Sequence, residues 1–175
     1  RSDFRHLHFQ VERDGRPIDP FDGAAPSTPP HCEVAGTVDQ TLWQSAEARE
    51  IADYKPSIIY RAGVATGTPE RDRALHEGYP DTASVNADAL VGYIVLLGVS
   101  AGTTVDTLIT GPGGQRVFEN RRVLDRESAR SFSFTGTRRK TAAWAPGEYR
   151  VRFVVRGRGP DREFEIETQK SIVLE

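Results

Sequence analysis

Residues 147–157 read GEYRVRFVVRG. Tyr149, Val151, Phe153 and Val155 alternate with Arg150, Arg152 and Val154, so in an extended strand the first set faces a core and the second mostly suits water. Working outward from this strand, ALVGYIVLLGV (89–99), TTVDTLITG (103–111), GQRVFEN (114–120), ARSFSFTG (129–136) and REFEIETQKSIVLE (162–175) are separated by Gly, Pro and Asp turns. Segments at this spacing predict a mainly β fold, with an antiparallel sandwich over residues 84–175. The run Leu90–Leu97 lacks alternation, as expected of a central strand. GPGG at 111–114 has the glycines of a phosphate cradle, but no helix follows it, and a hairpin turn is the better reading.

The N-terminal part is patterned differently. From Leu7 to Glu12, Leu7, Phe9 and Val11 fall on one face of a strand and His6, His8, Gln10 and Glu12 on the other. Asp14-Gly15 is a favoured hairpin turn, and Pro17 makes the return strand short or places it at an edge. A hairpin is therefore expected over residues 1–24. AAPSTPP then leaves little to bury and marks a boundary. Two short helices are expected in the connector that follows, over residues 25–83. SAEAREIADY starts at a Ser45 cap and ends before Pro56, and TPERDRALHEG has Thr68 as cap, Pro69 in the first turn and Gly78 as stop.

Composition excludes several functions. The chain has 175 residues and a formal charge of −2, with no long basic run, so nucleic acid is not an expected partner. The longest apolar stretch is about half of what a membrane-spanning helix needs, so no span is expected. There is no methionine, and the first residues already carry a strand pattern, so a piece of a longer polypeptide is expected. Cys32 is the single cysteine and has no disulfide partner within the chain.

Residues i and i+2 on a strand project the same way, so the imidazoles of His6 and His8 can reach one centre. A catalytic zinc typically takes three protein ligands and keeps a fourth position for water. Spacing alone also suits two solvated histidines on a polar face. The whole segment HLHFQVERDGRPIDPFDG, however, resembles the last conserved block of the lysostaphin-type (LytM-like) zinc metallopeptidases, in which His-Leu-His-Phe-Glu-Val precedes a polar turn and a Pro-x-(Asn/Asp)-Pro segment. The likeness covers about the first 22 residues, and Gln10 stands where Glu is common.

The resemblance implies that His8 is a zinc ligand and that His6 is a catalytic histidine acting on the water or the oxyanion. It implies a secreted or periplasmic endopeptidase that cuts peptide cross-links of bacterial peptidoglycan, with zinc polarising the scissile carbonyl and activating water. The remaining ligands of the family, a His and an Asp in a His-x-x-x-Asp motif, have no counterpart in this sequence. The chain alone is therefore expected to carry an incomplete site. Other residues are poor substitutes. Adjacent extended side chains diverge, which argues against His31 and Cys32 as a metal pair. His76 fits a solvent-facing place near a helix C-terminus, and in the family the segment of Asp19 and Asp22 only finishes the hairpin.

WAPGEYRVRF resembles the turn and penultimate strand of immunoglobulin-like domains, so an accessory sandwich follows the peptidase hairpin in this reading. It would meet a cell-wall or envelope protein partner. Arg138, Arg139 and Lys140, and the arginines of RVRFVVRGRG, suit an anionic surface but also the ordinary solvated face of a sandwich. Two alternatives stand beside the enzyme: a non-enzymatic regulator of wall hydrolases, and a plain wall-binding or protein-binding module.

Overall fold

The computed structural model describes residues 9–20, 42–46, 55–159 and 163–175. The chain divides into two units, Arg1–Lys55 and Pro56–Glu175. In the first, β1 (Val11–Arg13) pairs antiparallel with β2 (Arg16–Ile18), and Pro17 stands opposite Glu12. The turn between them puts Asp14 at φ 52° and Gly15 at φ 71°, the left-handed region that Asp and Gly tolerate best. Phe9, expected in a core, is 62% exposed and stacks on Trp43 with ring centroids 6.4 Å apart. The helix expected from Ser45 lies almost wholly outside the described residues.

The second unit is built on two sheets. One has three strands in the order β3–β5–β8, formed by Ile58–Ala65, Ala89–Val99 and Ser128–Arg138. The other has five, in the order β4–β10–β9–β6–β7, formed by Thr82–Ala83, Glu163–Leu174, Gly147–Arg158, Thr104–Thr110 and Arg116–Val123. All pairings are antiparallel except that of β4 with β10. The segment 25–83, expected to be linker and helices, thus contributes β3 and β4, and the second unit begins at Pro56.

Alternation sets the core. Tyr149, Val151, Phe153 and Val155 of β9 are buried while Arg150, Arg152 and Arg156 are exposed. From the three-stranded sheet, Val64, Leu90, Ile94 and Leu96 join the same apolar cluster. Burying a side chain such as Phe153 or Ile109 stabilises the fold by roughly 1.5–3 kcal/mol. β5 is buried on both faces, because Tyr93 and Val95 on its other side are also covered. The cover includes α1 (Arg71–His76), whose Ala74 packs with Ala65 and Tyr93 alongside Tyr79 and Phe132.

The helix α1 starts two residues after Pro69 and makes no side-chain cap; Thr68 does not serve as one. Instead the Glu70 amide donates to the Tyr79 hydroxyl at 2.7 Å. Its end follows expectation, with Gly78 at φ 86° and the amides of Glu77 and Gly78 both donating to the Arg73 carbonyl. GPGG forms the β6–β7 turn, closed by the Gly111 amide on the Gln115 carbonyl at 2.9 Å.

At Gly92 of β5 the side chains of β9 pack directly against the backbone of the opposite sheet. A Cβ there would stand 2.7 Å from Val151 Cγ1 and 2.8 Å from Phe153 Cζ. Gly92→Ala is therefore expected to lower unfolding stability by about 1–3 kcal/mol through overpacking, measured by urea denaturation. An unchanged midpoint would show that the sheets separate freely at this point.

Candidate functional site

His6 and His8 lie outside the described residues, as do Asp22, His31 and Cys32. What is described of the sequence block is its sequel, the β1–β2 hairpin. There Gln10 Nε2 donates to Glu12 Oε1 at 2.7 Å, as side chains two apart on one face can. Asp19 is exposed, and so is His76 in the last turn of α1. No group of three or more His, Cys, Asp or Glu among the described residues is arranged to hold a metal ion.

Arg150, Arg152 and Arg156 of β9 are held in ion pairs on the outer face of the five-stranded sheet. Across four strands, Arg121 of β7, Asp106 of β6, Arg156 of β9 and Glu165 of β10 alternate in sign. Arg121 meets Asp106 through two parallel bonds, of 2.5 and 2.8 Å, and Arg156 Nε donates to Glu165 at 2.6 Å. Arg152 pairs with Glu167, and Arg150 with Glu148. The register places these groups side by side, so this face is a network of opposite charges.

The TRRK segment has a structural task. Arg139 donates from Nε to the Ala87 carbonyl at 3.3 Å and from Nη1 to the Thr141 carbonyl at 3.0 Å, tying the β8–β9 loop to the chain before β5. Trp144 joins the same junction by donating from Nε1 to the Ala87 carbonyl at 2.8 Å. Beside it, a groove of about 660 Å³ runs past Thr68, Asp88, Val91, Phe134, Gly136 and Arg138. A second concavity, of about 300 Å³, lies at the edge of β8 and gathers arginines from α1, β7 and the turn after it. Sequence reading did not find it, because Arg71, Arg122 and Arg126 are brought together only by the fold.

Comparison of the chain with known protein families and with curated proteins finds no match. Among the described residues, no helix is long and apolar enough to cross a membrane.

The network makes stability depend on pH. Hydrogen bonds from Arg121, reinforced by the charge of Arg121 and by Arg156, hold the Asp106 carboxyl below the usual carboxylate range despite its partial burial. A depressed folded pKa contributes stability above the unfolded value, and that contribution is lost as pH falls through the folded one. Wild type is expected to lose at most about 1 kcal/mol from this group below roughly pH 4, and less in high salt. Asp106→Asn should be less stable than wild type at pH 7, and the gap should close in acid. Equal differences at both pH values, by chemical denaturation, would remove the network from the account.

Proposed function

We propose that the chain is the C-terminal part of a secreted or periplasmic zinc metalloendopeptidase of the lysostaphin type, acting on the peptide cross-links of bacterial peptidoglycan, with an immunoglobulin-like sandwich behind it. The observation that carries the peptidase reading is the block from His6 to Pro20, with its His-x-His pair, polar turn and Pro-x-Asp-Pro ending. The hairpin at Asp14-Gly15 agrees with that reading, since the block requires the chain to reverse there.

Two imidazoles two residues apart in the expected strand are a chemically suitable part of a zinc site, but with His8 as ligand two of the usual three protein ligands of a catalytic zinc are wanting. In this reading His8 ligates the metal, and the missing His and Asp belong to sequence upstream. Zinc, when bound, supplies a polarised carbonyl and a water of lowered pKa. His6, held next to that centre by the strand period, orients the water or donates to the developing oxyanion.

Three features support the immunoglobulin-like part. The first edge of the fold is divided between sheets, β3 pairing with β5 and β4 running parallel to β10. Tyr149, at the start of the penultimate strand, donates its hydroxyl to the Ala145 carbonyl at 3.0 Å, the corner bond common in such sandwiches. Trp144 packs against the core, with its ring edge-on to Tyr149 at 5.8 Å.

The test is metal content and hydrolysis. Residues 1–175 alone should bind zinc below stoichiometry, whereas a longer chain of the same reading frame, including a His-x-x-x-Asp motif, should bind one zinc and release peptides from purified sacculi. In that longer chain His8→Ala should lose the metal, and His6→Ala should keep it while losing about 10²–10⁴-fold in rate. Full zinc content in the His8→Ala protein would end the assignment.

A further inference from the structure

β8 is the outermost strand of its sheet, with β5 on one side and, among the described residues, no strand on the other. Two observations show which of its backbone groups face the open side. The Arg139 amide donates to the Asp88 carbonyl, continuing the register in which Thr137 stands opposite Leu90, so the odd-numbered residues bond to β5. The Arg130 amide and carbonyl are instead both engaged by the Ser128 hydroxyl, as befits an even-numbered residue turned the other way. The N–H and C=O groups of Phe132, Phe134 and Gly136 therefore point out of the sheet edge, and none of them reaches another backbone group among the described residues.

The other edges are guarded and this one is not. β3 carries a register slip between Ile59 and Arg61, and β4 is two residues long. β7 bears Arg116, Glu119, Arg121 and Arg122, and β10, open ahead of its pairing with β4, bears Glu163, Glu165, Glu167 and Lys170. Charges, irregularities and shortness are the usual means of keeping an edge from pairing. From Ser131 to Thr137, β8 has no charged residue, no proline and no register shift. Its Phe134 is 42% exposed and lies beside Phe132, with ring centroids 5.7 Å apart. A row of outward backbone groups next to two phenyl rings is completed by another strand.

We infer that this strand is β8 of a second copy of the chain, paired antiparallel about Ser133 so that two three-stranded sheets become one. Full overlap of Ser128–Arg138 with itself sets Ser133 on the two-fold axis, and even-numbered residues then meet even-numbered ones, as their outward amides require. In this register Phe132 of each copy stands opposite Phe134 of the other, a favourable cross-strand pair made twice. Arg130 falls opposite Gly136, which has no side chain, and Arg138 opposite Ser128, so no like charges stand directly opposed. Pairing about Phe134 instead would set Arg130 against Arg138. The open edges of β7 and β10 would bring charged rows against the phenyl rings, so β8 matches itself best. The dimer does not rest on the peptidase reading, and its failure would leave that reading where it stands.

The test is sedimentation equilibrium of residues 1–175 from about 10 µM to 1 mM, the range in which an interface at the small end of the size classes associates. A monomer–dimer equilibrium is expected. Phe134→Lys puts a charge at the centre of the seam and should weaken association at least about tenfold. Val173→Lys puts the same charge on an exposed valine of β10 and should leave it unchanged. Amide NMR spectra of both variants should keep the dispersion of the wild type, which separates lost association from lost fold. In a mixture of isotope-labelled and unlabelled chains, filtered NOEs are expected between Phe132 of one copy and Phe134 of the other. A monomer at every concentration, a dimer that Phe134→Lys leaves intact, or equal weakening by both variants would overturn the pairing. Contacts between copies from Phe134 to Phe134 alone would overturn the register on which it rests.

Discussion

Between the sheets, Val151 and Phe153 of β9 occupy the space that a side chain on residue 92 would fill, so close packing at this point depends on a glycine in β5. Because β5 has no side chain at Gly92, its flanking Leu90 and Ile94 reach the apolar cluster shared with β9. The opposite face of β5 is then left with Tyr93 and Val95, which cannot stay in water without cost. The ring of Tyr93 lies over Gly63 on the neighbouring strand, and α1 is laid across the remainder. The missing side chain thus admits Val151 and Phe153 on the inner face, while the strand period turns Tyr93 outward to the helix.

Charge is distributed by the same geometry. Arg152 and Arg156 on the outer face of β9 have cross-strand carboxylates because β6 and β10 flank it on both sides. At β7 the sheet ends, and Arg122 has a neighbouring strand on one side only. Arg122 thus has no cross-strand carboxylate, although its neighbour Arg121 reaches Asp106. RVRFVVRGRG draws the eye as a basic surface, yet it contributes little uncompensated charge.

Most strands of the second unit were legible because their apolar residues keep a period of two, as in β9, or abandon it altogether, as in β5. β3 was not legible. Its register slips between Ile59 and Arg61, which breaks the alternation, and its partner β5 lies some thirty residues further on. The start of α1 was misplaced because Thr68 and Pro69 have the chemistry of a helix entrance, while the Tyr79 hydroxyl takes over the amide that a cap would have served. Of the candidate sites, the histidine block is legible only in sequence, through residue order. The arginine pocket is legible only in the fold, since its members come from a helix, a strand and a turn far apart in the chain.

The short pairing of β4 with β10 has a mechanical consequence. β4 spans two residues, yet it belongs to a set of backbone bonds that runs from the Val173 amide on Asp81, through the Glu175 amide on Ala83, to the Val85 amide on Glu175. The two strands run parallel, so tension applied between residue 56 and residue 175 that reaches β4 slides it lengthwise along β10. Bonds crossing between strands pulled in this way share the load and must give together, whereas a hairpin pulled open at its ends loses its bonds one at a time. The seam therefore acts as a latch against stretching, at a place where the thermodynamic contribution of two residues is small.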